Sequence, residues 1–126
     1  MSVKLARILI VDDEKDICNI IAKGLRIAGF DADGIVGAAN VLSRYKAGMY
    51  DLIILDIKMP EIDGIELYAR IKSMDKDARI CFLSAFDSSV ITQFKARFPY
   101  AEVPHLIRKP VELSKLIQTV KEQLSV

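Results

Sequence analysis

The sequence predicts an α/β fold with one parallel, five-stranded sheet and helices on both of its faces. Short apolar runs of strand character alternate about five times with segments of helical periodicity. Strands that alternate with helices in this way form parallel sheets joined by right-handed crossovers. Polar residues follow several of these runs at their downstream ends, which is where open sheets of this kind bind ligands. Together these observations predict a three-layer, doubly wound domain.

Residues 7–47 are predicted to supply the first two strands and helices. Residues 7–11 (Arg-Ile-Leu-Ile-Val) predict the first strand, and apolar residues at helical spacing predict a helix that Gly29 ends. The inward face of this helix is predicted to be Ile17, Ile20, Ile21, Gly24, Leu25 and Ala28. Residues 31–36 predict a short second strand, and residues 38–47 predict a second helix. Its predicted inward side chains are Val41, Leu42 and Tyr45.

The middle of the chain continues the alternation. Residues 51–55 (Asp-Leu-Ile-Ile-Leu) predict the third strand. Pro60 and the Asp63-Gly64 pair predict a turn that leads to a third helix, which Asp63 is placed to cap. The inward stripe of this helix is predicted to be Leu67, Ile71 and Met74. Residues 79–83 predict the fourth strand, and Pro99 is expected to end the fourth helix early.

The last strand and helix complete the five units of the predicted doubly wound fold, whose strand order is 2-1-3-4-5. Residues 105–108 predict the fifth strand, and Pro110 separates it from a final amphipathic helix. The apolar face of that helix is predicted to be Leu113, Leu116, Ile117, Val120 and Leu124. In the order 2-1-3-4-5, the ends of strands one and three flank the topological switch point of the sheet.

Composition limits the size and the partners of the protein. With 126 residues, 52% of them hydrophobic, we expect a single domain over residues 1–126 with a full core and no output domain. The 18 basic and 17 acidic residues give a formal net charge of +1, which argues against direct nucleic-acid binding. No signal peptide or membrane-spanning run is present, so we expect a cytoplasmic protein without membrane insertion. Cys18 and Cys81 lie among apolar residues and are expected to be buried and unbridged.

Polar side chains at four strand ends predict a site. Asp12 and Asp13 follow the first strand, Asp56 the third and Lys109 the fifth, while the fourth ends at Ser84. Carboxylates 4 Å apart repel by roughly 4 kcal/mol per pair at an effective dielectric near 20, so the cluster favours a bound cation. Hard oxygen ligands suit Mg²⁺. With Mg²⁺ and Lys109 the pocket is neutral, and Asp56 becomes the best nucleophile for a phosphoryl group, with Ser84 as a hydrogen-bond donor to the product.

The motifs resemble the receiver domain of two-component response regulators, a family with the flavodoxin-like (βα)5 fold of the chemotaxis receivers. The resemblance covers Arg7 to about Leu124. It rests on residues 11–14 (Val-Asp-Asp-Glu), 55–64 (Leu-Asp-Ile-Lys-Met-Pro-Glu-Ile-Asp-Gly), 83–85 (Leu-Ser-Ala) and 108–110 (Arg-Lys-Pro). It implies a phosphoaccepting signalling switch.

The resemblance also implies roles for individual residues. Asp56 is expected to accept a phosphoryl group from a sensor histidine kinase or a phosphotransfer protein. Asp12, Asp13, Asp56 and the backbone carbonyl of Lys58 are expected to hold Mg²⁺, or Mn²⁺ in its place. Lys109 is expected to pair with the phosphoryl group. By the same resemblance, Ser84 is the switch hydroxyl, which turns inward to the phosphoryl oxygen.

The implied output of the switch is a change in binding. A downstream effector is expected to bind the surface formed by residues 94–108 and the C-terminal helix. The protein is expected to be a monomer or a phosphorylation-dependent dimer, and not an enzyme beyond its own phosphorylation and dephosphorylation.

Two of the departures from the family pattern concern this output surface. Leu106 stands three residues before Lys109, where the family commonly has Tyr or Phe, so the usual aromatic coupling is not expected. Residues 94–104 replace a common Gly-Ala turn. They are expected either to form a partner surface that includes Arg97 and Tyr100, or to place Phe94 and Phe98 in the core.

A third departure concerns phosphoryl lifetime, and it leads to the alternative functions. Lys58 and Phe86 occupy positions that tune hydrolysis in the family, and a bulky Phe86 predicts slow autodephosphorylation. One alternative is a Mg²⁺-dependent aspartyl-phosphate phosphatase or phosphotransferase; enzymes resembling the haloacid dehalogenase family carry a second Asp where this chain has Lys58. The other is a receiver-like module that binds partners without phosphorylation.

Overall fold

The computed structural model describes residues 5–85 and 89–125 and confirms the predicted α/β fold. One parallel sheet contains the strands β1 (Arg7–Asp12), β2 (Asp31–Val36), β3 (Leu52–Asp56), β4 (Ile80–Ala85) and β5 (His105–Lys109). Their spatial order is β2-β1-β3-β4-β5, as predicted. The helices are α1 (Lys15–Ile27), α2 (Ala38–Arg44), α3 (Gly64–Met74), α4 (Ser89–Arg97) and α5 (Leu113–Leu124).

Two apolar clusters cover the two faces of the sheet. On one face, α2, α3 and α4 pack over residues such as Leu9, Leu55 and Phe82. On the other face, α1 and α5 pack over residues such as Ile10 and Ile54. Successive strand residues point to opposite faces, so the central strands must be apolar throughout. This double burial explains the continuous apolar runs in the sequence.

Most helix boundaries follow local chemistry that the sequence predicts. Gly29 takes a φ of 100° just after α1, a conformation that glycine adopts without steric cost. The Asp63 carboxylate accepts the N–H of Glu66 at 2.8 Å and caps α3 as predicted. Helix α4 ends at Arg97, two residues before Pro99.

The prediction for α2 was too long, since it reached residue 47 and the helix ends at Arg44. At Tyr45 the backbone becomes extended, with ψ at 137°. The Tyr45 hydroxyl donates to Asp75 at 2.7 Å, and the N–H of Gly48 donates to the same carboxylate at 3.1 Å. These two hydrogen bonds hold the chain in a turn where the helix was expected to continue.

Two side chains predicted to face inward are exposed. Ile20 is 61% exposed because it lies outside the narrow buried stripe of α1. That stripe consists of Cys18, Ile21, Ala22, Gly24 and Leu25. Met74 is 43% exposed because it is the last residue of α3, where the chain leaves the helix.

Both cysteines are buried and unbridged, as predicted. Burial raises the pKa of the Cys18 thiol to about 11 and that of Cys81 to about 12, so neither is a reactive thiolate at neutral pH. Within residues 5–85 and 89–125, no helix has both the length and the apolar character needed to cross a membrane.

Candidate functional site

Three carboxylates meet at the carboxyl edge of the sheet. Asp12 ends β1, Asp13 follows it, and Asp56 ends β3. One oxygen from each carboxylate lies within 4.8 Å of the others. Asp12 and Asp56 are buried, with exposed fractions of 0% and 2%, whereas Asp13 is exposed. The adjacent parallel strands β1 and β3 therefore bring together the acidic cluster that their sequence positions predict.

The backbone holds the two buried carboxylates in place. Asp12 Oδ1 accepts the N–H of Glu14 at 2.9 Å, and Asp56 Oδ1 accepts the N–H of Lys58 at 3.3 Å. Each is an Asx turn, in which an aspartate at the end of a strand bonds the backbone two residues on. These turns fix one oxygen of each carboxylate and leave the other to face the cluster. Sequence reasoning treated Asp12 and Asp56 as metal ligands, and Asp56 as a nucleophile, and missed the turns.

Lys109 supplies the positive charge that faces the free oxygens. Its Nζ lies 3.0 Å from Asp12 Oδ2 and 3.3 Å from Asp56 Oδ2. Among the described residues, neither of these buried oxygens accepts a hydrogen bond of good geometry. Because a buried carboxylate oxygen without a donor is costly, both contacts act as ion pairs that only partly satisfy the cluster.

The electrostatics of the pocket favour a cation. Burial and the neighbouring Asp12 raise the pKa of Asp56 to about 7, against the opposing effect of Lys109. Burial acts to lower the pKa of Lys109, but Asp12 and Asp56 outweigh it and the pKa lies above its usual value. When all three carboxylates are ionised, the single ammonium of Lys109 leaves two negative charges uncompensated. Oxygen ligands with this spacing and charge fit a hard divalent cation such as Mg²⁺.

Ser84 lies on β4 near the same edge and is 8% exposed. Its hydroxyl donates to the carbonyl of Ala85 at 2.8 Å, so it is directed at the backbone in this structure. The Lys58 side chain, next to the site, is exposed. Phe86, predicted to shield the phosphoryl group, lies outside the described residues, so its shielding stays a prediction.

Gly64 brings α3 against the strand end that carries Asp56. Its N–H donates to the carbonyl of Ile57 at 2.8 Å. A Cβ added at Gly64 would lie 2.5 Å from the backbone oxygen of Asp56 and 2.7 Å from the Ile57 Cα. Only glycine therefore fits at this position. Sequence reasoning had read the Asp63-Gly64 pair as turn punctuation and had missed this close approach.

The unusual 94–104 segment contributes to the core, which confirms one of its two interpretations. Phe94 is fully buried and Phe98 packs partly buried against the same core. The partner interpretation remains open because Tyr100 is 100% exposed and Arg97 is exposed as well. Leu106 is partly buried against that core.

Comparison with known proteins identifies the family. The family model of the response regulator receiver domain matches residues 8–121. The chain belongs to this family. The receiver domain is 34% identical to the transcriptional regulatory protein PrrA of Mycobacterium bovis over 118 residues, which is 94% of this chain and 49% of PrrA. It is 28% identical to the response regulator receiver protein CpdR of Brucella abortus, covering 95% of this chain and 98% of CpdR. It spans about half the length of the first curated relatives that it matches.

Solved structures agree on the fold. The receiver domain matches the response regulator TrrA of Thermotoga maritima, solved in complex with Mg²⁺ and BeF, at 31% identity and a TM-score of 0.80 over 95% of this chain and 100% of that one. A chain from the complex of histidine kinase ThkA with TrrA matches at 31% identity and a TM-score of 0.79, over 96% of this chain and 100% of that one. The CheY-like receiver of Methanospirillum hungatei matches at 26% identity and a TM-score of 0.83, over 96% of this chain and 94% of that one. The predicted flavodoxin-like fold and two-component signalling function are confirmed.

Proposed function

We propose that Asp56 of this receiver domain accepts a phosphoryl group and that the acyl phosphate switches the binding of a partner. One observation carries the proposal. Asp56 is a buried carboxylate at the end of a central strand, and one of its oxygens lies 3.3 Å from Lys109 Nζ. It also has an oxygen within 4.8 Å of oxygens of two further carboxylates, close enough for the three to share a metal ion. A structural aspartate gains nothing from such surroundings, because they raise its pKa and oppose its charge.

The same residues are proposed to hold Mg²⁺, with Mn²⁺ as a substitute. Asp12, Asp13 and Asp56 provide the carboxylate oxygens, and the family resemblance adds the backbone carbonyl of Lys58. An ion held by these residues would supply positive charge to neutralise the oxygens of the transferring phosphoryl group. The solved complex of TrrA with Mg²⁺ and BeF is consistent with this assignment.

The proposed transfer is a displacement at phosphorus. A carboxylate oxygen of Asp56 forms the new O–P bond as the N–P bond of the donor phosphohistidine breaks. The electron pair of that bond stays on the imidazole nitrogen, which then takes up a proton. The Lys109 ammonium stays close to the transferred group, and the Ser84 hydroxyl turns from the Ala85 carbonyl to a phosphoryl oxygen.

Two partners follow from this reaction. The phosphoryl donor is a sensor histidine kinase or a phosphotransfer protein; the complex of ThkA with TrrA shows one such pairing in a related protein. The downstream partner is an effector protein that binds the surface of residues 94–108 and helix α5. That surface presents exposed Tyr100 and Arg97, whose substitution is expected to weaken effector binding without affecting phosphorylation.

Incubation with acetyl phosphate and Mg²⁺, followed by intact mass measurement, separates the three candidate functions. A switch gives a single phosphoryl adduct that requires both Mg²⁺ and Asp56. Rapid release of inorganic phosphate without an adduct indicates a phosphatase or phosphotransferase, and no reaction indicates a module that works without phosphorylation. Asp56→Asn is the informative variant, and Asp77→Asn, an exposed aspartate outside the acidic cluster, is its matched control.

A further inference from the structure

Four aromatic rings join helices α3 and α4 to strand β4, and we call them the aromatic bracket: Tyr68, Phe82, Phe94 and Phe98. Tyr68 is their common neighbour. Its ring centroid lies 5.8 Å from that of Phe82, 5.0 Å from Phe94 and 5.3 Å from Phe98, in tilted or edge-on geometry. Phe82 and Phe94 are fully buried and Tyr68 is 7% exposed. The bracket is therefore a packed unit in which Tyr68 of α3 and Phe94 of α4 each contact the other three rings.

Tyr68 lies one helical turn after Gly64, the residue whose backbone contacts the end of β3 at Asp56. The Gly64 N–H donates to the Ile57 carbonyl at 2.8 Å, and no Cβ fits between Gly64 and the Asp56 backbone. A single hydrogen-bonded turn joins Gly64 to Tyr68, so the two move together. The backbone at Asp56 is therefore connected to Tyr68 through Gly64 and one turn of α3.

Strand β4 connects the site to the bracket by a second route. Phe82 and Ser84 are two residues apart on β4, so their side chains share a face of the sheet. The Phe82 ring lies 5.9 Å from Phe94 of α4. Strand β3, which ends at Asp56, and strand β4, which carries Ser84, are therefore both connected to the same aromatic rings.

Few side chains of helix α4 are buried among the residues that the structure describes. Of its nine residues, Val90 and Phe94 are buried. Arg97 forms an ion pair with Glu66 of α3 at 3.3 Å, but both side chains are exposed, and such pairs contribute little to stability. A short helix with few buried side chains is easily repositioned, and the bracket includes Phe94, one of the two buried side chains of α4.

We propose that Tyr68 is a positioning residue that couples the placement of α4 to the state of Asp56. This inference rests on the proposed phosphorylation of Asp56. The family commonly has an aromatic residue on β5 at the position that Leu106 occupies in this chain. The proposal places the coupling contact on α3 instead. Leu106 pairs in register with Phe82 and is partly buried. The α4 ring of Phe94 is contacted instead by Tyr68 of α3, at 5.0 Å, and by Phe82 of β4, at 5.9 Å.

Hydrogen exchange of the full chain, measured by mass spectrometry on peptides covering residues 89–97, tests the coupling. Mg²⁺ with beryllofluoride serves as the probe, and its binding is measured separately as a rise in the unfolding temperature. In the wild type, the probe is expected to change exchange in α4 by about fivefold or more, the range of typical coupling between sites. In Tyr68→Leu, the probe is expected to bind while the α4 response falls to less than about a third of the wild-type change. Tyr68→Phe keeps the ring and is expected to retain the full response.

Tyr45→Leu is the matched control. Tyr45 is 8% exposed, close to the 7% of Tyr68, but its ring pairs with Tyr50 at 6.3 Å, away from α4. This variant is expected to lose stability and to keep the α4 response. If Tyr68→Leu does not fold, Phe98→Leu at the partly buried rim of the bracket replaces it, with the same expected loss of response.

Several outcomes overturn the coupling role. A full α4 response in Tyr68→Leu, or in Phe98→Leu where that variant replaces it, removes it. The coupling role of Tyr68 is also removed if Leu106→Ala loses the α4 response while Tyr68→Leu keeps it. That result would place the coupling on β5. A wild type that binds the probe without any change in α4 removes the coupling and leaves the proposed function standing. A wild type that forms no adduct with acetyl phosphate and binds no probe overturns the proposed function itself.

Discussion

Replacement of Asp56 by asparagine is expected to stabilise the metal-free receiver domain near pH 8. The carboxylate is buried beside Asp12, and Lys109 offsets only part of the repulsion. The pKa of Asp56 in the folded protein is raised from an ordinary value of 3.8 to about 7. Asparagine has nearly the same shape and carries no charge, so it removes the cost of ionising the buried group.

The sign and size follow from linkage between protonation and folding. Because the folded pKa is raised, the folded state binds the proton more tightly than the unfolded state, and stability falls as pH rises from below 4 through about 7. A shift of about three pKa units corresponds to roughly 4 kcal/mol, which is the upper limit of the gain at pH 8. At pH 5 the expected gain is about half of that or less.

Urea unfolding in EDTA at pH 8 and pH 5 measures this gain. Asp13→Asn is the control, because that carboxylate belongs to the same cluster but is exposed, and its gain is expected to be small. Added Mg²⁺ is expected to stabilise the wild type and to stabilise Asp56→Asn much less. The reasoning is refuted if Asp56→Asn is no more stable than the wild type at pH 8, or if its advantage at pH 5 equals that at pH 8.

Three further substitutions test the local structure around the site. Gly64→Ala is expected to lower the free energy of unfolding by about 1–3 kcal/mol and to slow phosphorylation by acetyl phosphate, since its Cβ would lie 2.5 Å from the Asp56 backbone oxygen; unchanged stability and rate contradict the close approach. Asp63→Ala is expected to cost about 1 kcal/mol in urea unfolding through loss of the α3 cap, and a cost near zero contradicts that role. Phe94→Ala is expected to cost about 3–5 kcal/mol by the same measurement, because it leaves a cavity in the aromatic bracket. A cost below about 1 kcal/mol for Phe94→Ala would show that α4 is not anchored there.

Sequence reasoning succeeded where one local rule decides the structure. The parallel sheet followed from the alternation of strands and helices, and the α3 cap at Asp63 followed from side-chain chemistry. The acidic cluster was predicted because parallel strands must deliver their carboxyl ends to one edge.

The misses have a common physical origin in long-range contacts. The end of α2 at Arg44 depends on hydrogen bonds from Tyr45 and Gly48 to Asp75, a residue some thirty positions away. Gly64 looked like an ordinary turn residue because its neighbour, the Asp56 backbone, is brought close only by the folded strand. No periodicity within a single segment records such contacts.

The apolar pattern also overstated burial at helix faces and ends. Ile20 fits the helical spacing of α1 but lies outside the stripe that the sheet covers. The aromatic bracket was missed because its rings come from different elements of the fold. Phe94 and Phe98 were recognised as a helical pair, whereas Tyr68, which joins them to the site, lies on another helix.

The central claim is that the Asp56 side chain itself becomes an acyl phosphate, and its most direct test is chemical. Borohydride reduces an acyl phosphate to a primary alcohol, so phosphorylation by acetyl phosphate and Mg²⁺, followed by borodeuteride reduction, converts a phosphorylated aspartate to homoserine labelled with deuterium. Peptide mass spectrometry then locates the label. We expect labelled homoserine at position 56, dependent on Mg²⁺. Label at another residue, or a stable phosphoryl adduct that borodeuteride does not reduce, would contradict the assignment of Asp56 as the phosphoacceptor.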